Sequence, residues 1–416
     1  MSPLRAAMLV VLLEALAFGA TFPVLSYYCQ DLGGGPVWVG VMFALVSGPR
    51  VLTNPLFGQL SDRFGRRAML IVSTVGTLTG SIGWALAPNI HWLALSRAVT
   101  GIFGAQAALA QAIAADVSPP ERRAASVGLL GAAFGIALTL GPAIGGTVAH
   151  HVSAAAIGWV CAVMQLTSLG VIAFLLRETR PETAPRVAAR ALEPALADAP
   201  AYAHRVLVSD QALPEARGIW RPVVIELLVV TLVATLGLSQ FTAAYPLLTD
   251  HVYRFTEQQT GYALACVGFI AALVQGGAVR VVVARFGERG PFIGGSLLAA
   301  AAYVLLAGSP PLWEFWTATV LLGIGMALAT PCLNALLSRR VGPAEQGSIM
   351  GWNQGVTSLG RAGGALLAGW LYGRYGFRAP FGSAAGLLML SILLFLPTRH
   401  GVRATSTAPA LLGQSE

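Results

Sequence analysis

The sequence predicts an all-α membrane protein: twelve transmembrane helices arranged as two pseudo-symmetric six-helix bundles. Three observations carry that prediction. The 416 residues are 56% hydrophobic and only 11% charged, with a mean hydropathy of +0.70, and apolar runs repeatedly reach the ~20 residues that cross a hydrocarbon core of ~30 Å. Drawing twelve spans then sorts the arginines almost wholly to one face. Finally, the second half of the chain repeats the first at a nearly constant offset.

The spans run roughly over 6–28, 37–58, 68–88, 92–115, 124–149, 155–176, 222–248, 259–281, 290–308, 313–337, 348–372 and 379–397. The first follows Arg5 and loosely fits a signal peptide, with Ala15-Leu16-Ala17 as the small-residue triplet. Its apolar run continues to Tyr28 and contains Glu14, so a retained helix is the expectation. Arg63, Arg66 and Arg67 separate the second and third spans, and Arg122 and Arg123 the fourth and fifth. Arg280, Arg285 and Arg289 fall at the junction of the eighth and ninth, and Arg339 and Arg340 between the tenth and eleventh. With Arg5, the central loop (Arg177, Arg180, Arg186, Arg190, Arg205, Arg217, Arg221) and the tail (Arg399, Arg403), one face collects twenty arginines. The opposite face has Arg254, Arg374 and Arg378, while Arg50, Arg97 and Arg361 sit inside spans. Basic loops stay on the cytoplasmic side, so both termini and the central loop are expected there.

The repeat is read from three places. Phe22-Pro23-Val24-Leu25-Ser26 is echoed by Tyr245-Pro246-Leu247-Leu248-Thr249, 223 residues later. Arg63-Phe64-Gly65 recurs as Arg285-Phe286-Gly287, and Gly101-Ile102 as Gly323-Ile324, both at 222. Parallel six-helix repeats describe a transporter whose site lies between its halves. The expected division is 1–176 for the first bundle, 177–221 for a cytoplasmic linker with a weak helix near 187–197, and 222–416 for the second bundle and a short tail.

Composition also excludes. There is no Lys, so all 26 basic side chains are Arg, and a Walker-type ATP site within this chain is ruled out. The pI of 9.8 reflects arginines that follow the membrane, so nucleic acid is not an expected partner. Cys29, Cys161, Cys266 and Cys332 form no CxxC pair, so neither disulfides nor zinc are expected. No paired catalytic carboxylates, metal spacing or nucleophile elbow suggest an enzyme, and no cofactor is expected. The expected partners are protons, a small-molecule substrate and the bilayer, around a monomer.

Glu14 lies about eight residues into the first span, where an ionised carboxylate costs ~3 kcal/mol unless paired or hydrated. Desolvation favours the neutral form of such a group, which suits it to exchange protons. Thr21 and Tyr28 follow at heptad spacing on the same face; a structural carboxyl bonded to a neighbouring helix is the plainer alternative. Arg97, Gly101, Gly104 and Gln111 would share one face of the fourth helix. Gly141, Pro142, Gly145 and Gly146 make a closely approachable stripe with a permitted bend on the fifth. Arg50 and Arg361, the latter on a face with Gln354 and Ser358, are deep charges and so functional candidates. Against Glu14 alone, Arg50, Arg97 and Arg361 leave a balance of +2, or +1 if Glu226 is buried. Such a balance favours anionic, zwitterionic or neutral substrates. Tyr27, Asn54, Gln240, Tyr245, Asn334 and Trp352 are candidate pocket groups.

Three motifs carry a family resemblance. Gly58-Gln59-Leu60-Ser61-Asp62-Arg63-Phe64-Gly65-Arg66-Arg67 resembles the loop between helices 2 and 3 of the major facilitator superfamily. Leu95-Ser96-Arg97-Ala98-Val99-Thr100-Gly101 resembles its helix-4 motif, and Gly141–Gly146 the signature of its drug:H⁺ antiporters, with Ala137 at a glycine position. Most of the chain resembles the tetracycline efflux group, whose helix-1 acid matches Glu14. Its acids in helices 3 and 9 fall at Gly80 and Ala299, which puts tetracycline itself in doubt.

The resemblance implies proton coupling through Glu14 and Arg97. It also implies an ionic latch of Asp62, Arg66 and Asp116 holding the halves shut on the cytoplasmic side, with Gly58 admitting helix 11. Ala284 replaces the aspartate in the second-half loop, so its latch is expected to be weak or absent. The implied function is a proton-coupled antiporter in a bacterial inner membrane, exporting a small amphipathic drug or metabolite by alternating access. The alternative is an importer or facilitator of an organic anion.

Overall fold

The computed structural model describes residues 3–119, 123–179, 221–309, 311–341 and 346–396. The expected linker 177–221, with its helix near 187–197, lies almost wholly outside these residues, as do Arg122, Arg399 and Arg403. Twelve long helical segments follow in order: α1 (Pro3–Asp31), α2 (Pro36–Phe64), α3 (Arg66–Ala85), α4 (Ile90–Val117), α5 (Arg123–His151), α6 (Ala156–Leu175), α7 (Pro222–His251), α8 (Glu257–Phe286), α9 (Arg289–Ala307), α10 (Leu312–Ser338), α11 (Gln346–Tyr375) and α12 (Arg378–Phe395). Eleven contain a stretch long and apolar enough to cross a membrane. The remaining one, α11, carries Asn353, Gln354, Ser358 and Arg361 along its first half, which lowers its hydropathy.

Three spans expected to be continuous are interrupted. In α2 the helix stops at Ser47 and resumes at Arg50, across Gly48-Pro49, because proline cannot donate the backbone bond a helix requires. In α4 it stops at Phe103 and resumes at Gln106, across Gly104-Ala105. In α8 a π-helical turn at Val274–Ala278 contains two adjacent glycines, the residues least able to hold a regular turn. Gly65, with φ +97°, makes the sharp turn from α2 into α3, a conformation that a side chain would strain.

Successive helices run in opposite directions, so one end of the bundle, the terminal end, carries the start of α1 and the end of α12, and the other, the far end, carries Asp31, Asp250 and Glu257. At the far end a single apolar core includes residues of both halves, among them Val24, Phe43, Leu93, Tyr245, Phe315 and Phe381. At the terminal end the cores are separate. One is built only from the first half (Val10, Leu70, Leu109, Ile172) and the other only from the second (Leu227, Phe292, Leu333, Phe395).

Backbones meet at the far end through glycine. A Cβ on Gly40 of α2 would collide with the Ala365 carbonyl of α11, and one on Gly146 of α5 with the Glu257 carbonyl of α8. The α5–α8 seam still holds where Gly268 meets Leu138, but Gly128, Gly131 and Gly135 on α5 and Gly276 and Gly277 on α8 face open space. The halves therefore part beyond mid-depth, leaving a cleft that opens at the terminal end.

Candidate functional site

The floor of the cleft is built by the interruptions. Ending the first piece of α2 at Ser47 places Arg50 at the start of the second piece. A methyl group on Gly104 would collide with the Arg50 guanidinium, so the break in α4 makes room for this side chain. Arg50 also lies 5.9 Å from the Phe18 ring centroid.

Glu14 of α1 faces the same pocket, with Arg50 within electrostatic reach and the Gln165 amide of α6 beside it. Arg97 lines the pocket too, but its guanidinium stacks over the Trp84 ring at 4.4 Å, next to the thiols of Cys29 and Cys161. The arginine that faces Glu14 is therefore Arg50, which sequence reasoning had assigned to substrate. Glu14 Oε2, Arg50 Nε, Arg97 Nε and Gln165 Oε1 are all buried without a hydrogen-bond partner among the described residues. Buried polar atoms are normally paired, so four orphans around one pocket of water size set it apart from the rest of the interior. The pocket volume is about 20 Å³, enough for one or two waters and far below the ~300 Å³ of a drug-sized site. It has room for water and none for a drug-sized molecule.

Arg361 opens onto that cleft. It lies one turn from Ala365, which packs on Gly40, and is accessible despite lying midway along α11. A Cβ on Gly48 would stand 3.8 Å from that of its neighbour Ala362, and Arg50 and Arg361 are close enough to feel each other's charge. Asn334 of α10 is accessible and accepts a 2.9 Å hydrogen bond from Asn353.

Several candidates lie elsewhere in this conformation. Trp352 is nine residues from Arg361, half a turn out of phase. It shares the opposite, exposed face with Leu359, Leu366 and Trp370. Tyr245 is fully buried, its hydroxyl 2.8 Å from Thr319 Oγ1. Gln240 is buried and accepts from Ser383. Tyr27 spans the far end, bonding Thr260 at 2.7 Å and donating to the Phe255 carbonyl. Glu226 is exposed, so it does not reduce the +2 balance inside the helices. Gly80 packs against Thr100, and Ala299 is fully buried against Gly325. Neither place has room for the acid that tetracycline efflux proteins would put there.

The ionic latch closes within the first half. Arg66 bonds Asp62 at 2.6 Å, Asp116 at 2.9 Å and Ser61, while the Glu178 carboxylate accepts from the backbone amides of Arg66 and Arg67. Gly58 faces open space instead of α11, because the halves have separated at this end. The second half carries a counterpart ion pair, with Arg339 largely exposed. Glu288 and Arg339 pair at 2.7 Å, at positions 222 and 223 residues after Arg66 and Asp116, with the signs exchanged. The sequence comparison had looked for an aspartate at Ala284 and so missed the inverted pair. Arg67 and Arg289 repeat as well. Arg67 donates to the Ile172 and Ala173 carbonyls at the end of α6, and Arg289 lies over Phe395 at the end of α12.

With this geometry established, similarity to other proteins can be placed beside it. The sequence model of the family described as Major Facilitator Superfamily matches residues 7–282 and 227–412. The class C tetracycline resistance protein of Escherichia coli is 30% identical over 365 residues, 87% of each chain. The multidrug resistance protein MdtG of Proteus mirabilis (strain HI4320) is 25% identical, covering 92% of each. The crystal structure of the human organic anion transporter MFSD10 (TETRAN) superposes with a TM-score of 0.70 at 24% identity, covering 94% of this chain and 98% of that one, and so shares the fold.

Proposed function

This chain belongs to the Major Facilitator Superfamily, and we propose that within it the chain exports a small amphipathic molecule in exchange for protons. Its relation to tetracycline and multidrug resistance proteins over most of its length supports this, although it is distant. The observation that carries the reading is Glu14. Among the described carboxylates it alone lies more than two turns from either end of its helix, facing a cationic partner, Arg50, in a pocket of water size. On this reading the membrane is a bacterial inner membrane with both termini cytoplasmic, in which case the cleft opens inward. Protonation from outside would favour return to this state, and cargo binding would follow loss of the proton. A potential of about 100 mV adds ~2.3 kcal/mol per charge moved.

The experiment is accumulation of a panel of labelled lipophilic dyes by everted vesicles under an imposed proton gradient. Accumulation that collapses with a protonophore is expected for wild type and is lost in Glu14→Gln. Accumulation by intact cells instead would establish the second reading, import or facilitated passage of an organic anion. What favours that reading is the surplus of Arg50 and Arg361 over Glu14 in the interior.

A further inference from the structure

We propose that Arg50 and Arg361 form a carboxylate-binding subsite at the floor of the cleft, and that an incoming organic carboxylate takes Arg50 from Glu14 as Glu14 takes up a proton. The inference rests on the functional reading only in treating Glu14 as the proton site and the cleft as the cargo site; for a carboxylate, ligand and proton load together, which accords with the second reading and not with exchange.

Two guanidinium groups within electrostatic reach of one another repel, an effect moderated where Arg361 meets the cleft, and both always carry charge. Glu14 offsets one of them. No described carboxylate pairs with Arg361, which leaves one uncompensated cation at the cleft floor. A planar carboxylate is the natural third member, since a guanidinium presents donors in a fork that matches two oxygens. The approach path is defined. Arg361 is accessible from the cleft, whereas Arg50 is more enclosed and keeps an unpartnered buried Nε. An anion would meet Arg361 first and then reach Arg50 across the crossing of Gly48 and Ala362.

The surroundings favour an aryl body on that anion. Phe18 lies under Arg50, and Phe22 packs on Phe43 at 5.2 Å and on Phe241 of the other half at 6.4 Å. These rings form an apolar wall between the halves, immediately beyond the two arginines. Once a ligand carboxylate occupies Arg50, an ionised Glu14 has lost its counter-charge in a pocket too small to hydrate it, and the neutral acid is the stable form. Ligand and proton therefore bind cooperatively, with up to one proton taken up per carboxylate bound. A cargo lacking the carboxylate leaves the Glu14–Arg50 pair intact and stands outside this linkage.

The test is equilibrium binding to the purified full chain in detergent, by calorimetry in buffers of different ionisation enthalpy. Three matched probes are used: 4-phenylbutyrate, 4-phenylbutanol and 4-phenylbutylamine. The expected order places the carboxylate at least about tenfold tighter than the amine, with affinity rising as pH falls and with proton uptake. Arg361→Gln should lose about tenfold or more for the carboxylate while still binding 4-phenylbutanol, which shows that the cleft is folded, and Arg361→Lys should recover part of the loss. Glu14→Gln should bind the carboxylate without proton uptake and without the pH dependence. The subsite is overturned if wild type does not bind 4-phenylbutyrate, binds the amine as tightly, or releases protons on binding it. It is equally overturned if Arg361→Gln binds the carboxylate unchanged. None of those outcomes touches proton-driven export of an uncharged or cationic dye. Conversely, absent flux with the carboxylate preference intact would remove the export reading alone.

Discussion

At the far end of the bundle the two halves share one apolar core, whereas at the terminal end each half keeps a core of its own. The polar groups divide in the same way. At the far end, hydrogen bonds cross the boundary: Tyr27 to Thr260 and to the Phe255 carbonyl, and Gln30 to Asp250 at 2.9 Å and to His251 at 3.0 Å. At the terminal end, the strongest charges are spent inside each half, in Arg66–Asp116 and in its sign-inverted counterpart Glu288–Arg339. The far end is thus held by contacts that must be broken to open it. Closing the terminal end requires charges already satisfied to find new partners. Under the alternating access proposed for this chain, these two sets of contacts compete, and each can be weakened separately.

The largest effect is expected from Gly40→Leu. Its side chain would enter the Ala365 backbone across the boundary, and overpacking of this kind costs ~2 kcal/mol, a shift of roughly thirtyfold in the equilibrium between closed and open far ends. In a cysteine-free background, a single Cys at Gln30 should become much more reactive to a water-soluble thiol reagent. Unchanged labelling would mean that this glycine crossing does not hold the far end closed.

Next is Arg66→Ala. The Arg66 and Asp116 side chains are only 12% and 15% exposed, and a charge-assisted bond in such surroundings contributes about 1.5–3 kcal/mol. The thermal unfolding midpoint of the purified protein should fall by several degrees, less so for Arg66→Lys. Tyr27→Phe should be milder. It removes one hydroxyl bonded across the far end, at ~1 kcal/mol, and should raise thiol labelling at Gln30 about fivefold. Smallest is Arg339→Ala, because Arg339 is 72% exposed and a pair of that kind contributes well under 1 kcal/mol after solvent screening. A midpoint shift as large as that of Arg66→Ala would show that the inverted latch carries more than its exposure allows.

Much of this architecture was legible in the sequence because a bilayer constrains it so strongly. Charge cannot sit cheaply in hydrocarbon, so the arginine clusters bounded the helices and the 222-residue offset related the halves. Glu14 and Arg97 stood out as buried charges for the same reason, but only the structure puts both in the lining of one pocket. The interruptions were less obvious. Gly48-Pro49 is a break that backbone chemistry announces, yet a long apolar run conceals it, and with it the placing of Arg50 opposite Glu14. The facing of Trp352 was not legible because it depends on helical phase, and half a turn separates it from Arg361. Tyr245 and Gln240 were polar in the right helix, but they are used in packing the second half. The sign-inverted latch escaped because a search for the same residues at repeated positions does not find a pair with exchanged charges. The far-end crossing at Gly40 carries no local signal at all, since only its partner on α11 gives it meaning.

The measurement that bears most directly on the account is the proton count when a bound dye or carboxylate saturates the purified chain in weakly buffered solution. Wild type is expected to exchange up to one proton per chain, with the sign set by the class of cargo, and Glu14→Gln to exchange none while still binding. A proton signal of the same size in Glu14→Gln would place coupling on another group and contradict the role given to this carboxyl.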